Sequence, residues 1–306
     1  MTDADTGIEG YETFLGELTF LRAPLTKKLD GVDVAALGIP YDMGTTNRPG
    51  ARFGPRAIRE QSSLVGDYDL GVWPWDYDVR EKYRIIDYGD VQNFTANTDA
   101  MIVETEKAAD RILGSGASLL GIGGDHFVAL PLLRAHARKH GPLALVHFDA
   151  HSDTWVSEDY DHGTMFYHAL REGIIDPDRS IHIGIRTPNA DTHGIQIIDA
   201  IEMESMSADD IGAAIRKRVG DAKAYLTFDI DFLDPAFAPG TGTPVVGGPS
   251  VMTARRILIS LRGMNIVGGD QVEVAPAYDP LGGVTALAGT TIAADILYLI
   301  AEARSV

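Results

Sequence analysis

The 306-residue chain contains no cysteine, which excludes disulfides, thiolate zinc sites and cysteine nucleophiles together. Cationic side chains are also scarce. Lys and Arg number 26 against 44 Asp and Glu, a formal net charge of −18 with a pI near 4.8. A chain of that sign repels phosphate backbones and draws metals and small cations, so no nucleic-acid partner is expected. No run of about 18 consecutive apolar residues occurs, the length a membrane span needs. The opening MTDADTGIEG is acidic where a secretory leader needs a basic start and an apolar stretch. The expectation is a soluble, cytoplasmic protein with no membrane partner.

Hydrophobic residues make up 45% of the chain, enough for a full core. Short apolar segments alternate with helical patterns. The strand-like pieces are 32–38, 84–89, 117–123, 143–148, 181–185, 224–230 and 265–274. Helical patterns fall between them, as in MIVETEKAADRIL, FVALPLLRAHARK, IGAAIRKRV and ARRILISLR, with a last helix near 285–302 that carries small and apolar residues on most faces. Near-continuous apolar strands suit a parallel sheet covered on both faces. The fold class expected is α/β, with three layers (α/β/α) and a mainly parallel central sheet. No repeat or linker divides the chain, so one domain over 1–306 is expected, with 1–12 flexible. The Gly-rich stretch 238–249 is read as a functional loop inside that domain.

Open α/β sheets bind ligands beyond the carboxyl ends of their strands. Four apolar strands here run into acidic or histidine residues: LLGIG into GDH (124–126), LALVHF into DAHSD (149–153), AYLTF into DID (229–231), and NIVGGDQV into EV (273–274). Asp149, Asp153, Asp229 and Asp231 bring four negative charges, and His126 and His151 add imidazoles. Four carboxylates in one cleft repel one another. Two divalent cations cancel that charge and leave room for a bridging hydroxide. Oxygen-rich ligation with a few imidazoles suits Mn²⁺ or a similar ion. Asp125 reads as support for His126. His147 lies within its strand and reads as structural, and His136, His140, His168, His182 and His193 read as surface or packing residues.

GGDHF, HFDAHSDTW, DHGTMF, YLTFDIDFLDPAFAPGTGTPVVGG and QVEVAP, in this order, resemble the signature blocks of the ureohydrolases. That family includes arginase, agmatinase, guanidinobutyrase and proclavaminate amidinohydrolase, and the likeness is closest to bacterial agmatinases. It implies an arginase-like fold, a homotrimer or homohexamer, and two Mn²⁺ per subunit. His126, Asp149, Asp153 and Asp229 would hold one ion and Asp149, His151, Asp229 and Asp231 the other. It also implies attack by the bridging hydroxide on a guanidinium carbon. Asp153 and His162 would handle protons, and Glu273 would grip the guanidinium as a bidentate carboxylate. Thr243 would help bind the substrate.

The substrate class is a small cationic guanidine. The segment 154–161, TWVSEDYD, contains no Lys or Arg, and Glu158, Asp159 and Asp161 suit the ammonium tail of agmatine. The alternative is a guanidino-acid hydrolase such as guanidinobutyrase. It rests on TTNRPGAR, where Arg48 or Arg52 could meet a carboxylate. Gly54-Pro55 starting a helix, with the arginines in structural ion pairs, is the competing account of that segment.

Overall fold

The computed structural model describes residues 16–65, 72–92, 96–189 and 191–304. The expected flexibility of 1–12 lies outside the described residues. Eight strands form one sheet: β1 (Val34–Ile39), β2 (Ile85–Asp90), β3 (Ser118–Gly123), β4 (Ala144–Phe148), β5 (Ile181–Ile185), β6 (Gln196–Asp199), β7 (Ala224–Asp229) and β8 (Ile266–Val272). Their order is β2-β1-β3-β8-β7-β4-β5-β6, and every pairing among them is parallel. β1, β4, β5 and β7 are buried along their whole length. Strands covered on both faces have no solvent side to mark with polar residues, which is why they read as unbroken apolar runs. The expected α/β/α class is thus observed.

One layer holds α1 (Gly54–Val65), α7 (Ala208–Val219), α8 (Val251–Ser260) and α9 (Val284–Ala303). The opposite layer holds α3 (Thr98–Gly114), α4 (Ala129–His140) and α5 (Met165–Arg171). Two short helices, α2 (Val79–Lys82) and α6 (Ala200–Glu204), complete the set named here. α1 does begin at Gly54, with Pro55 in its first turn. α7 is fixed by a capping box in which Ser207 accepts from the Asp210 amide and the Asp210 carboxylate accepts from Ser207.

β6 was not foreseen, because it is a four-residue edge strand with three of its residues half-buried or exposed. α9 is long and apolar enough by composition to cross a membrane, with mean hydropathy 1.7, although no consecutive apolar run marks it. It is instead the central helix of its layer. Of its apolar window 83% is buried within the protein, against β3, β8, α1 and α8.

The topology creates the cleft. The four strands with polar C-terminal extensions, β3, β8, β7 and β4, are immediate neighbours in the sheet. Chains leaving β3 and β4 turn to the layer of α4 and α5, while chains leaving β7 and β8 turn to that of α8 and α9. Neighbouring connections that diverge to opposite faces open a crevice at the carboxyl edge.

Candidate metal centre

The spacing of the acidic motifs has a local cause. Asp149 Oδ1 accepts from the His151 amide at 2.6 Å, and Asp229 Oδ1 accepts from the Asp231 amide at 2.7 Å. Each is an Asx-type turn that closes the strand end and turns the second carboxylate oxygen toward the crevice. Asp153 and Glu273 sit at φ 51° and 66°, a region that non-glycine side chains seldom adopt and that concentrates at functional sites.

These turns bring the residues of all four strand ends together. His126 Nδ1 lies 3.0 Å from Asp149 Oδ2, 2.9 Å from Asp153 Oδ2 and 3.3 Å from Asp229 Oδ2. His151 Nδ1 lies 3.1 Å from Asp231 Oδ2 and 3.4 Å from Asp149 Oδ1. Asp149 thus belongs to two adjoining donor groups, one with His126 and Asp153, the other with His151 and Asp231.

The surrounding hydrogen bonds set the ring states. Thr227 gives its hydroxyl proton to Asp270 at 2.5 Å and therefore accepts from His126 Nε2 at 2.8 Å. Tyr225 donates to the other Asp270 oxygen at 2.6 Å. This relay turns the Nδ1 lone pair of His126 toward the carboxylates, where it is buried without a hydrogen-bond partner. An orphaned imidazole lone pair among three carboxylate oxygens is the donor set of a divalent cation. The residues present fit such a group.

His147 is a buried structural residue with specific partners. Its Nε2 donates to Asp149 Oδ2 at 2.8 Å, and its Nδ1 lies 2.6 Å from His182 Nδ1 across the β4–β5 ladder. It falls within ligand distance of the first donor group. Because its Nε2 proton is committed to Asp149, its role is to orient that carboxylate. His182 is likewise buried, the packing alternative of its sequence reading.

The electrostatics follow from burial. Burial and the nearby Asp149 charge push Asp153 up to about 7, against the pull of His126. Asp229 is raised well above the usual carboxylate range by burial, Asp231 and Asp149. Asp149 goes the other way: burial opposes its charge, but His147, His126 and His151 outweigh it. Burial also disfavours charge on His151, yet Asp231 and Asp149 push it up to about 12. The acids outnumber the bases, and the cluster draws cations of any kind.

Glu273 is buried, and its Oε1 accepts from the His126 amide and from His162 Nδ1, both at 2.8 Å. Its Oε2 has no hydrogen-bond partner. Asp125 Oδ2 accepts from the Gly44 amide at 2.7 Å, tying the 41–50 loop to the site. Gly124 permits that approach, since a Cβ there would sit 2.2 Å from the Tyr41 carbonyl oxygen.

A cavity of about 350 Å³ opens over the cluster, lined by His151, Asp153, Asp229, His162, Thr243 and Thr46, with Trp155, Ser157 and Asp161 also in its wall. Thr243 donates to Asp231 Oδ2 at 3.3 Å. Of the three acids in 154–161 only Asp161 lines the cavity. Glu158 and Asp159 are exposed, and Glu158 pairs with Arg171. Among the described residues no Lys or Arg lines it. Arg52 is paired with Asp42, and Arg48 lies over the Tyr278 ring at 5.4 Å. Neither arginine lines the cavity, and each has a partner of its own. Thr46 and Trp155 were missed as site residues. TTN was visible in the sequence, but nothing local says that residues 41–50 fold over a histidine more than 100 positions later.

A parallel α/β sheet with a crevice of carboxylates and imidazoles at its carboxyl edge defines an α/β protein with a candidate metal centre. The Arginase family model matches residues 32–298, and the chain belongs to that family of hydrolases. It is 48% identical over 288 residues to an agmatinase of Photorhabdus laumondii subsp. laumondii, covering 93% of each chain. Among solved structures, a hypothetical agmatinase from Burkholderia thailandensis superposes with a TM-score of 0.93 at 46% identity, over 96% of this chain and 93% of that one. Proclavaminate amidino hydrolase from Streptomyces clavuligerus gives 0.89 at 38% identity, over 96% and 100%.

Proposed function

We propose that this chain is an agmatinase, hydrolysing agmatine to putrescine and urea. The observation that carries the reading is the cavity: acceptors at its base, Asp161 in its wall, and no cationic side chain lining it among the described residues. Such a lining favours a substrate that is cationic at both ends. A guanidino acid would meet a carboxylate where it needs a donor. The high identity to agmatinases over nearly the whole chain supports the same substrate.

In this reading the chain works as one domain and carries two Mn²⁺ ions. His126, Asp149, Asp153 and Asp229 would hold one, and Asp149, His151, Asp229 and Asp231 the other. When bound, the ions supply Lewis acidity that activates water and offsets the carboxylate charge. The chain's own residues do the rest. Glu273 Oε2, buried and without a partner, accepts guanidinium N–H groups and sets the carbon over the cluster. Asp153, whose carboxylate lines the cavity with its Oδ2 beside His126, takes a proton from the attacking water. His162, pushed up to about 9 by Glu273, Asp153 and Asp125 against burial, holds a proton for the departing amine. Thr243 hydrogen-bonds the substrate from the 238–249 loop. A homotrimer or homohexamer, a cytoplasmic location and a role in polyamine biosynthesis accompany the reading and rest on family resemblance.

The test is urea release by Mn²⁺-loaded protein from agmatine, arginine, 4-guanidinobutyrate and 3-guanidinopropionate, side by side. Preference for agmatine is expected. Preference for either guanidino acid would overturn the substrate assignment.

A further inference from the structure

His162 has a partner on each side, and the two differ in what they can do. Glu273 Oε1, 2.8 Å from Nδ1, can only accept while it is ionised, so Nδ1 keeps its proton whatever the state of the ring. The nitrogen that changes state is Nε2. Two groups of one residue, Thr46, face it: the backbone amide at 3.1 Å and the hydroxyl oxygen at 2.7 Å. The amide is a donor and needs a lone pair on Nε2, which exists only in the neutral ring. The hydroxyl can accept, and so serves the charged ring. Thr46 therefore offers a partner for each protonation state.

Its position is not incidental. The Gly44 amide donates to Asp125, the His162 amide donates to the Gly44 carbonyl at 3.0 Å, and Asn47 Nδ2 donates to the Gly242 carbonyl at 2.9 Å. The loop is thus fastened on both sides of Thr46. Both residues line the cavity, but His162 is only 8% exposed and its Nε2 is faced by Thr46, which is itself exposed. A proton leaving Nε2 along its hydrogen bond reaches the cavity at the Thr46 hydroxyl.

Resting on the agmatinase reading, we propose that Thr46 is a further catalytic residue, whose hydroxyl carries the proton from His162 to the departing amine. The Nε2–H bond breaks as that proton moves to Thr46 Oγ1, and the original Oγ1–H proton passes to the amine nitrogen. The hydroxyl is regenerated, the ring is left neutral, and the Thr46 amide donates to the new lone pair. Against burial, the Glu273 carboxylate on Nδ1, with Asp153 and Asp125 at longer range, favours the ring's charged form beforehand.

The experiment compares Thr46→Val, which keeps the amide and loses the hydroxyl, with Thr46→Ser, which keeps both. In the Mn²⁺-loaded enzyme Thr46→Val is expected to lower kcat for agmatine by about 10- to 100-fold with little change in KM, and Thr46→Ser to restore most of it. Metal content and melting temperature should match the parent. A second readout needs no turnover: acylation of His162 by diethyl pyrocarbonate against pH, followed by peptide mass spectrometry. The valine variant should show its midpoint at lower pH, because the charged ring has lost its acceptor. An unchanged kcat in Thr46→Val, or equal losses in the valine and serine variants, would overturn the proposal. If the parent enzyme released no urea from agmatine, the substrate reading would fall by itself. The acylation midpoint would then decide on Thr46, and no shift in the valine variant would reject it.

Discussion

Asp87 and Asp295 are buried as deeply as Asp149 and Asp229, yet the molecule treats the two pairs in opposite ways. Asp87 meets Arg59 through two bonds, Nε to Oδ2 at 2.7 Å and Nη2 to Oδ1 at 3.0 Å, and also accepts from the Phe20 and Gly89 amides. Asp295 meets Arg255 with the same two distances and accepts from Trp75 Nε1 at 2.7 Å. Each of these acids has its own guanidinium in fork geometry, so its charge is settled within the fold. The four aspartates of the crevice share three imidazoles, those of His126, His147 and His151, and no arginine. Their countercharge has to come from outside. The structural acids hold α1 to β2 and α8 to α9 through arginine, whereas the crevice acids make local turns and histidine contacts but have no guanidinium partner.

Removing an acid of each kind should separate the two classes. Asp229→Asn is expected to reduce urea release by at least about 10³-fold, the range for loss of a group that activates the nucleophile. Metal-free stability should be unchanged or higher, because a buried acid crowded by Asp231 and Asp149 has been replaced by a neutral side chain. A lower metal-free melting temperature in that variant would put Asp229 among the structural acids. Arg255→Leu should do the reverse. Stranding Asp295 costs about 3–5 kcal/mol, read by chemical denaturation, with turnover per folded molecule preserved.

Histidines sharpen the contrast. His151, beside Asp231 and Asp149, is pushed up to about 12, whereas burial pushes His136 down to about 4, its Nδ1 donating to the Leu132 carbonyl at 2.8 Å. Below pH ~6.5 the unfolded chain takes up a proton at residue 136 and the folded chain does not. Stability present above that pH is therefore lost as pH falls toward 4, by up to roughly 3 kcal/mol. In His136→Gln the slope of stability against pH between about 4 and 6.5 should flatten; an unaltered slope would place the effect on another group. The smallest effect is expected at the cavity wall. Asp161→Asn should raise KM for agmatine about fivefold, on the order of 1 kcal/mol, with kcat held. An unchanged KM would remove Asp161 from the substrate's path.

The crevice acids were legible in the sequence because their cause is local: strand ends, Asx turns and alternation along DAHSD and DID. The sheet was legible for the same reason, in runs apolar on both faces. What escaped depends on strand order and loop packing. His182 matters only because β5 lies beside β4 in register with His147, and no motif announces that neighbour. Thr46 matters because the loop after β1 folds back over His162. Arg48 and Arg52 pointed toward a carboxylate substrate until Asp42 and Tyr278 were seen beside them. β6 was missed because an edge strand of four residues lacks the two-sided burial that makes its neighbours readable.

The central claim is that the crevice acids take their countercharge from divalent cations while the structural acids do not. Equilibrium dialysis of metal-stripped protein against Mn²⁺, with the bound metal counted per chain, tests it most directly. Two ions per chain are predicted, falling to one or none in Asp149→Asn, whose carboxylate belongs to both donor groups. No bound metal, or an undiminished count in that variant, would contradict the account.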